Sequence, residues 1–219
     1  MTEFWDDPDR VAQFAARSPD RRLVDWVPQF VHPASVRILD LGAAGGRNTV
    51  FLAERGFDVH ARDTAPAMVE ETRRRTAAVL GEVEADRRVR VGGMDLLDFP
   101  DGGFDLVIAL GVIQCAPDLA VFEAALAETA RVLAPGGSVL VANFTPAMRP
   151  AGGPLVPVPD MPGVYDGFSS GRCCLFHAPD LDARFRAHGL EPLRPTETVR
   201  VEAETGTRVT ANAHYGKRA

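Results

Sequence analysis

A carboxylate followed by a run of small residues is the pattern in this chain most suited to chemistry. The aliphatic run Val36–Leu41 contains Asp40, small residues occupy positions 42–46, and helical spacing begins near Asn48. Glycines at such a corner permit backbone conformations that other residues avoid, and they leave room for a ligand against bare peptide. N–H groups at the start of the helix face the same corner. The pattern predicts a strand, a tight turn and a helix that bind a nucleotide-like ligand.

The spacing of the small residues separates two classes of nucleotide-like ligand. A dinucleotide-binding turn requires glycine at its first, third and sixth positions, where this chain has Gly42, Ala44 and Arg47. The run Asp40-Leu-Gly-Ala-Ala-Gly-Gly-Arg47 instead resembles motif I of the class I S-adenosylmethionine-dependent methyltransferases, with Ala44 in place of the middle glycine. The resemblance implies S-adenosyl-L-methionine as cofactor and S-adenosyl-L-homocysteine as product, and Ala44 bears on cofactor affinity. A plain strand-to-helix turn is the alternative.

Length and composition limit the classes of protein. The 219 residues are 46% hydrophobic and 25% charged, with a net charge of −6, as is typical of one globular domain. The negative charge gives no general attraction to nucleic acid or anionic lipid, although a local patch could bind RNA. The acidic start lacks the order of a signal peptide, and no apolar run is long enough for a membrane span. We expect a cytoplasmic protein, a monomer or a homodimer, without a nucleic-acid or membrane partner.

The chain has three cysteines, Cys115, Cys173 and Cys174. An odd number without framework spacing is consistent with a reducing compartment. No His/Cys cluster has the spacing of a zinc site, so no metal site is predicted. The adjacent pair Cys173-Cys174 could bind a thiophilic metalloid, as cysteines do in arsenite methyltransferases, and an incidental pair is the alternative.

The second predicted strand, Phe57–Asp63, ends in an acid. A carboxylate at the tip of this strand can accept two hydrogen bonds from ribose hydroxyls, and the family resemblance implies the same role for Asp63. Alternatively, Asp63 caps the helix predicted over 66–83, a role that Thr64 also fits.

Two later stretches also resemble the methyltransferase family. Pro100-Asp-Gly-Gly-Phe-Asp105 leads into an apolar run ending at Leu110, as expected of a parallel strand covered on both faces, and Ala134-Pro-Gly-Gly-Ser-Val-Leu-Val141 resembles the family's approach to the fifth strand. Ligands of such sheets bind beyond the carboxyl ends of the strands. By position in the family, Asp95 accepts from the adenine amine and Met94 contacts the ring edge. The cofactor residues that the resemblance implies are Asp40, Gly42, Ala43, Ala44, Gly46, Asn48, Asp63, Thr64, Met68, Met94, Asp95, Leu96, Leu110 and Gly111.

The residues after the fourth predicted strand bear on the methyl acceptor. Enzymes that methylate nucleic-acid bases or glutamine amides commonly carry Asn/Asp-Pro-Pro-Tyr/Phe here, whereas this chain has Gly111-Val-Ile-Gln-Cys-Ala116. The difference favours the small-molecule branch of the family. Gln114 is a candidate polar group of the acceptor pocket, and an ordinary loop amide is the alternative.

The amino-terminal segment is predicted to be helical. Helices are expected over 9–17 and 20–30, with Ser18 as the N-cap of the second. In the resembled family this segment often closes over cofactor and substrate, which makes Phe4 and Trp5 candidate lid residues. Simple packing of the helices on the sheet is the alternative.

Residues 145–178 are rich in proline and glycine and are the least family-like stretch. A connection of this length within a domain is usually functional or mobile. Because it follows the fifth strand, we expect it to form the wall of an aromatic acceptor pocket. The candidate residues are Tyr165, Phe168, Phe176 and His177, with His177 as a general base for acceptors that are protonated at working pH. A surface excursion without function is the alternative.

The carboxyl-terminal part predicts a helix over 179–188 and a hairpin formed by Leu193–Ala203 and Thr207–Tyr215. The resembled fold ends with such a pair, whose last strand is antiparallel in an otherwise parallel sheet. The predicted fold class is therefore α/β, a single Rossmann-like doubly wound sheet. The predicted segments are a helical lid (1–33), a cofactor-binding core (34–144), a pocket loop (145–178) and a terminal helix with hairpin (179–219).

The predicted function is S-adenosylmethionine-dependent methyl transfer to a small-molecule acceptor by in-line displacement. The segment Gly46–Val59 is similar to tellurite-resistance-type methyltransferases, but that similarity does not reach the pocket loop. One alternative is a non-catalytic protein of the same fold that binds the cofactor or its product, favoured by Ala44 and by the absence of an obvious base. The others are methylation of RNA or protein, disfavoured by the acidic composition, and methylation of a thiophilic metalloid.

Overall fold

The structure is a computed structural model that describes residues 2–204 and 206–218. The chain divides into two units. The first extends to residue 93 and includes 104–106, and the second comprises 94–103 and the residues from 107 onward. Helices and strands alternate along the chain, as expected of an α/β fold.

Three parallel strands organise the first unit. They are β1 (Arg37–Leu41), β2 (Asp58–Asp63) and β3 (Val89–Val91). β2 lies between the other two, because Ile38 pairs with Val59 and Ala61 pairs with Val89. β1 and β2 are buried along most of their length, which accounts for their apolar sequences. Both strands lie where the sequence predicts them.

The helices of the first unit differ from the predicted ones at several of their ends, and those over 2–5 and 82–88 are not predicted. They are α1 (Thr2–Trp5), α2 (Pro8–Ala15), α3 (Arg21–Trp26), α4 (Arg47–Ala53), α5 (Pro66–Leu80) and α6 (Glu82–Arg88). The predicted N-cap at Ser18 is wrong: Asp20 caps α3, because its carboxylate accepts from the Arg22 N–H at 3.0 Å. The helix predicted over 66–83 ends at Leu80, because Gly81 has a φ of +83° that breaks it.

A long antiparallel pair organises the second unit. It consists of β5 (Leu133–Phe144) and β12 (Gly206–Lys217), with Thr210 opposite Phe144. β12 also pairs antiparallel with β10 (Leu190–Pro192) and β11 (Glu197–Ala203). The sequence does not predict β10, because three residues are too short to show alternation. The predicted hairpin and antiparallel last strand are confirmed, as is the α/β class with a mostly parallel sheet.

Strand β4 and two helices are the other long elements of the regular structure. They are β4 (Phe104–Leu110), α7 (Leu119–Val132) and α8 (Ala178–Ala187). The Asp118 carboxylate caps α7 by accepting from the Val121 N–H at 2.9 Å. At the other end, Lys217, the only lysine of the sequence, donates from Nζ to the carbonyls of Ala130 and Leu133 at 2.7 Å each. Both ends of α7 are therefore capped by side chains.

The stretch 145–178 contains short strands that the sequence does not predict. β6 (Arg149–Pro150) pairs with β12. β7 (Val156–Pro157), β8 (Val164–Asp166) and β9 (Cys173–Cys174) form a three-stranded antiparallel sheet, named here the insert sheet. Strands of two or three residues carry no readable periodicity, so only pairing with distant residues defines them.

Candidate functional site

The turn between β1 and α4, residues 42–46, is here named the motif I loop. Gly42 and Gly46 have φ angles of +67° and +78°, a region that favours glycine. The N–H groups of Gly42 and Ala43 both donate to the Arg62 carbonyl of β2, at 2.8 and 3.3 Å. The loop therefore requires glycine at both ends and is anchored to the neighbouring strand.

Ala44 occupies the position where the methyltransferase motif has its middle glycine. Its φ is +48°, a conformation that costs a residue with a Cβ about 1–2 kcal/mol. Its N–H donates to Asp63 Oδ2 at 2.9 Å, and its carbonyl accepts from Thr72 Oγ1 at 2.5 Å. These two hydrogen bonds hold the alanine in a backbone shape that glycine would adopt readily.

The backbone of α2 lies directly against the motif I loop. A Cβ added at Gly45 would lie 2.5 Å from the Ala15 nitrogen, so only glycine permits this approach. The Asp20 N–H donates to Asn48 Oδ1 at 2.9 Å, which ties the start of α3 to α4. Asn48, predicted to contact the cofactor, is thus engaged by the amino-terminal segment. The sequence gives no sign of either contact, because the partners are distant along the chain.

The predicted lid residues pack within the amino-terminal segment. Phe4 and Trp5 meet edge to face with centroids 4.9 Å apart, and Trp5 meets Phe14 in the same way at 5.5 Å. Asp6 Oδ1 accepts from the Ala67 N–H of α5 at 2.9 Å. The aromatic cluster is thus held close to the start of α5, and its contact with cofactor or acceptor stays a prediction.

The Asp63 carboxylate receives one backbone hydrogen bond on each oxygen. Oδ2 accepts from Ala44, and Oδ1 accepts from the Ala65 N–H at 3.0 Å. Burial raises the pKa of Asp63; these donors and the Thr64 N–H lower it, and nearby Asp6 raises it further. Asp63 therefore stabilises the turn that precedes α5 and does not cap the helix, whose N-cap is Ala65 without a side-chain capping bond. A carboxylate has about four acceptor sites, so three backbone donors leave room for an outside donor.

Three other predicted cofactor residues of the first unit differ in exposure. Asp40 is buried, accepts from Thr49 Oγ1 at 2.7 Å, and has its pKa raised to about 6 chiefly by burial. Met68 is only 1% exposed, so its side chain belongs to the core. Thr64 is exposed. Asp40 therefore supports the strand end and α4 through Thr49.

In the second unit, the predicted adenine contacts are adjacent: Met94 is half-buried, and Asp95 and Leu96 are exposed. The residues that follow are held by Arg131, whose guanidinium donates to the carbonyls of Leu97 and Phe99 at 2.9 and 2.8 Å. Glu128 accepts from Arg131 and from the Leu97 N–H, both at 2.7 Å. Glu128 and Arg131 are not among the predicted site residues, although their i, i+3 spacing on a helix is a signal that the sequence contains.

The segment after β4 is fixed to β5 by backbone and side chain. Leu110 is half-buried, and Gly111, at φ +86°, donates its N–H to the Ala142 carbonyl at 2.9 Å. Gln114 is 3% exposed, and its Oε1 accepts from the Phe144 N–H at 2.5 Å. Gln114 therefore holds the end of β5, which favours the interpretation as a structural amide.

A cavity of about 570 Å³ lies among α7, α8 and the insert sheet, all within the second unit. Three of the predicted acceptor residues line it: Tyr165, Phe176 and His177. The fourth, Phe168, instead lies parallel to Phe144, with ring centroids 6.2 Å apart. Phe176 is 6% exposed and packs edge to face on Phe122 at 5.0 Å, so it forms a fixed wall.

An ion pair borders this cavity. The Arg184 guanidinium lies over the Phe176 ring at 4.1 Å and forms an ion pair with Glu123. Glu123 Oε2 is also 2.8 Å from His188 Nε2. His177 is exposed immediately before α8 and forms no side-chain capping hydrogen bond there. The cavity thus combines aromatic walls with polar groups, as small-molecule pockets commonly do.

Comparison with known proteins agrees with this fold. Residues 38–137 match the family model described as a methyltransferase domain. The chain superposes with a TM-score of 0.63 on the 1,6-didemethyltoxoflavin-N1-methyltransferase of Burkholderia thailandensis, solved with bound 1,6-didemethyltoxoflavin and S-adenosylhomocysteine. The two are 21% identical over 99% of this chain and 82% of that one. The fold is that of class I methyltransferases. Residues 38–137, which include the motif I loop, are therefore similar to a methyltransferase domain.

Curated relatives are similar over part of their length. The chain is 41% identical over 142 residues to a malonyl-[acyl-carrier protein] O-methyltransferase of Halorhodospira halophila, covering 63% of this chain and 44% of that protein. It is 40% identical over 139 residues to a demethylmenaquinone methyltransferase of Thermus thermophilus, covering 61% and 57%. The chain therefore spans about half the length of the curated relatives it matches.

Two kinds of feature are absent from the described residues. Within 2–204 and 206–218, no group of three or more His, Cys, Asp or Glu side chains is arranged to hold a metal ion. In the same ranges, no helix has the length and apolar character needed to cross a membrane.

Proposed function

We propose that this protein transfers the methyl group of S-adenosylmethionine to a small-molecule acceptor by in-line displacement. The observation that carries the proposal is the motif I loop, a glycine-cornered turn at the end of β1 with Asp63 bonded to its centre. The relatives support it, since their names describe methyl transfer to oxygen in one case and to N1 in another. Because those acceptor atoms differ, the proposal does not specify one.

The residues of the motif I loop fit this cofactor. Gly42 and Gly46 supply backbone without side chains at the corner. Asp63 keeps acceptor capacity for ribose hydroxyls, and burial raises its pKa although three backbone N–H groups lower it. Asp95 and Met94 stay the proposed adenine contacts. Leu96, which follows them directly, and Leu110 and Gly111 at the end of β4 stay proposed cofactor residues.

The cofactor supplies a methyl group already activated by its positive sulfur. The protein then has to align the acceptor, exclude water and accept one proton. Alignment alone can lower a barrier by about 7–11 kcal/mol. We assign His177 as the base for acceptors that are protonated at working pH, because it lies exposed at the cavity without a capping bond.

The cavity beside α8 is the proposed acceptor pocket. Its volume of about 570 Å³ lies in the range of small-molecule sites. Phe176 provides a flat apolar wall, Tyr165 adds a second aromatic group, and Arg184 carries a charge over the Phe176 ring. These features favour a flat acceptor that carries a polar substituent.

The wider setting is also a proposal. A net charge of −6 supports a protein without a nucleic-acid partner. We propose a cytoplasmic monomer or homodimer with no membrane partner, built as one methyltransferase domain in the four segments predicted above.

Calorimetric titration with S-adenosylmethionine and S-adenosylhomocysteine tests the cofactor site first. We expect dissociation constants on the order of micromolar, weakened in an Asp95→Ala variant. Transfer of a labelled methyl group to a panel of hydroxyl, amine, thiol and carboxylate acceptors then tests the reaction. Absence of binding to both compounds would overturn the proposal.

A non-catalytic binding protein of the same fold is the second candidate, favoured by Ala44 at the middle position of the loop. Tight binding of both compounds without transfer to any acceptor would support it. Labelled methyl groups on RNA or protein would instead show that the acceptor is a macromolecule and not a small molecule.

A further inference from the structure

The three cysteines are arranged as one facing pair and one separate thiol. Cys173 and Cys174 are neighbours on β9, so their side chains point to opposite faces of the strand. The Cys173 thiol shares a hydrogen bond with the Cys115 thiol. Cys174 instead has Asp118, Arg184 and Glu123 as its charged neighbours.

The two facing thiols are fixed by the same strand end. Cys115 follows Gln114, which bonds the Phe144 N–H of β5 at 2.5 Å. The Cys174 carbonyl, next to Cys173, accepts from Asn143 Nδ2 at 3.4 Å. Both segments are therefore held at the end of β5, where the short helical turn Ile113–Cys115 lies in contact with β9.

The two thiols differ in access to solvent. Cys115 is half-buried, whereas Cys173 is 2% exposed. Its hydrogen bond with Cys115, together with burial, raises the pKa of the Cys173 thiol. An oxidant therefore reaches Cys115 first, while Cys173 stays protonated and protected beside it.

We propose that Cys115 and Cys173 form an oxidation site that a peroxide converts to an intramolecular disulfide. The Cys115 sulfur attacks one oxygen of the peroxide, and the O–O bond breaks. The departing oxygen takes the thiol proton and leaves as water, and Cys115 becomes a sulfenic acid. The Cys173 thiol then gives its proton to the sulfenic oxygen as its sulfur attacks the Cys115 sulfur. The S–S bond forms, the S–O bond breaks, and the oxygen leaves as a second water. Two thiols lose two electrons and two protons, and one peroxide is reduced to two waters.

The crosslink joins the segment after β4 to the insert sheet. The insert sheet contributes Tyr165 to the cavity, and the segment after β4 contains Gln114, which holds the end of β5. Restriction of the pocket by oxidation rests on the proposed function, whereas formation of the disulfide does not. The two are separable, because the disulfide is detected by mass without any acceptor.

Peptide mapping of the full-length protein after treatment with hydrogen peroxide tests the site. Trypsin places Cys115 in the peptide 91–131 and both other cysteines in the peptide 173–184. We expect these two peptides joined, with fragmentation assigning the bond to Cys173, and separated again by dithiothreitol. This measurement needs no variant.

Three variants provide the matched controls. Cys174→Ser keeps the facing pair, so it should still form the crosslink, while Cys115→Ser and Cys173→Ser should not. The crosslink in Cys174→Ser should also raise the melting temperature by roughly 5–10 °C over its reduced form, because it closes a long loop. A Cys173–Cys174 bond, a disulfide between two chains, or sulfinic acid on Cys115 without a crosslink would overturn the proposal.

Discussion

The Asp63 carboxylate and the Ala44 N–H are joined by a hydrogen bond of 2.9 Å, which connects the tip of β2 to the middle of the motif I loop. The same carboxylate accepts from Ala65 at the start of α5. One acid thus fixes two turns that lead to the proposed cofactor site.

Replacing Asp63 with asparagine removes one of these acceptors, because the amide nitrogen cannot accept a hydrogen bond. We expect the dissociation constant for S-adenosylmethionine to rise by roughly tenfold or more, through loss of a charged acceptor for hydroxyl donors. Calorimetric titration measures it. Asp25→Asn is the control, since that side chain is 67% exposed and pairs with Arg21. Equal affinities in the two variants would contradict the role assigned to Asp63.

Ala44→Gly tests whether the departure from the family motif matters. Glycine relieves left-handed strain of about 1 kcal/mol, partly offset by its greater freedom in the unfolded chain. We therefore expect no loss of stability and a change in cofactor affinity of less than about threefold. Ala43, which packs with Ala61 and Val89 in the core, is the control.

Ala43→Gly should lower the free energy of unfolding by about 1 kcal/mol. Equilibrium unfolding by urea measures this change. If Ala44→Gly instead tightened cofactor binding by a large factor, Ala44 would be a determinant of cofactor affinity, as its departure from motif I implies.

Acidification should destabilise the protein through two buried histidines. Burial lowers the pKa of His60 and of His214 to about 4, below the unfolded value of about 6.5. The unfolded chain therefore binds more protons between these values, and stability falls as the pH drops from about 6.5 toward 4. Asp40 acts oppositely, because its raised pKa of about 6 makes the folded state bind a proton first.

The histidine effect can be isolated at His214, whose Nε2 lies 3.0 Å from Ser138 Oγ. His214→Gln retains a polar group there and does not titrate. Urea unfolding at pH 7.5 and 5.0 should show that the variant loses about 2 kcal/mol less on acidification than the unaltered protein. An unchanged pH dependence would mean that His214 is not buried in its neutral form.

Lys217→Met should destabilise the second unit. The ammonium group donates to two carbonyls at the end of α7, at 2.7 Å each. A cation there also interacts favourably with the negative end of the helix dipole. We expect a loss of about 1–3 kcal/mol in the free energy of unfolding. Arg218→Met is the control, because the Arg218 side chain is 82% exposed, and equal effects would contradict the capping role.

Tyr165→Ala and Phe168→Ala separate two possible positions of the acceptor. Tyr165 lines the cavity, whereas Phe168 lies parallel to Phe144 and does not. Once an acceptor is known, Tyr165→Ala should raise its KM by about tenfold through loss of an aromatic contact, with cofactor affinity unchanged. If only Phe168→Ala raised the KM for the acceptor, the acceptor would bind at the Phe144–Phe168 pair and not in the cavity.

Local patterns were sufficient for much of the backbone. The apolar run before Gly42 and the alternation into Asp63 predict β1 and β2, because burial requires a repeat that the sequence itself displays. Asp118 likewise marks the start of α7, whereas the proline and glycines at 135–137 lie within β5 and do not end the helix, which stops at Val132. The prediction failed at Ser18, where a stronger cap two residues later was available in Asp20.

The sequence by itself determined β1, β2, the carboxyl-terminal hairpin, the glycine corner and the methyltransferase resemblance, since each rests on residues close together in the chain. The tertiary structure decided which distant groups meet: Gly45 with Ala15, Asn48 with Asp20, and Cys115 with Cys173. It also decided that Gln114 holds β5 and that Phe168 lies outside the cavity. Such contacts depend on how separate elements pack, and spacing along the chain carries no record of packing.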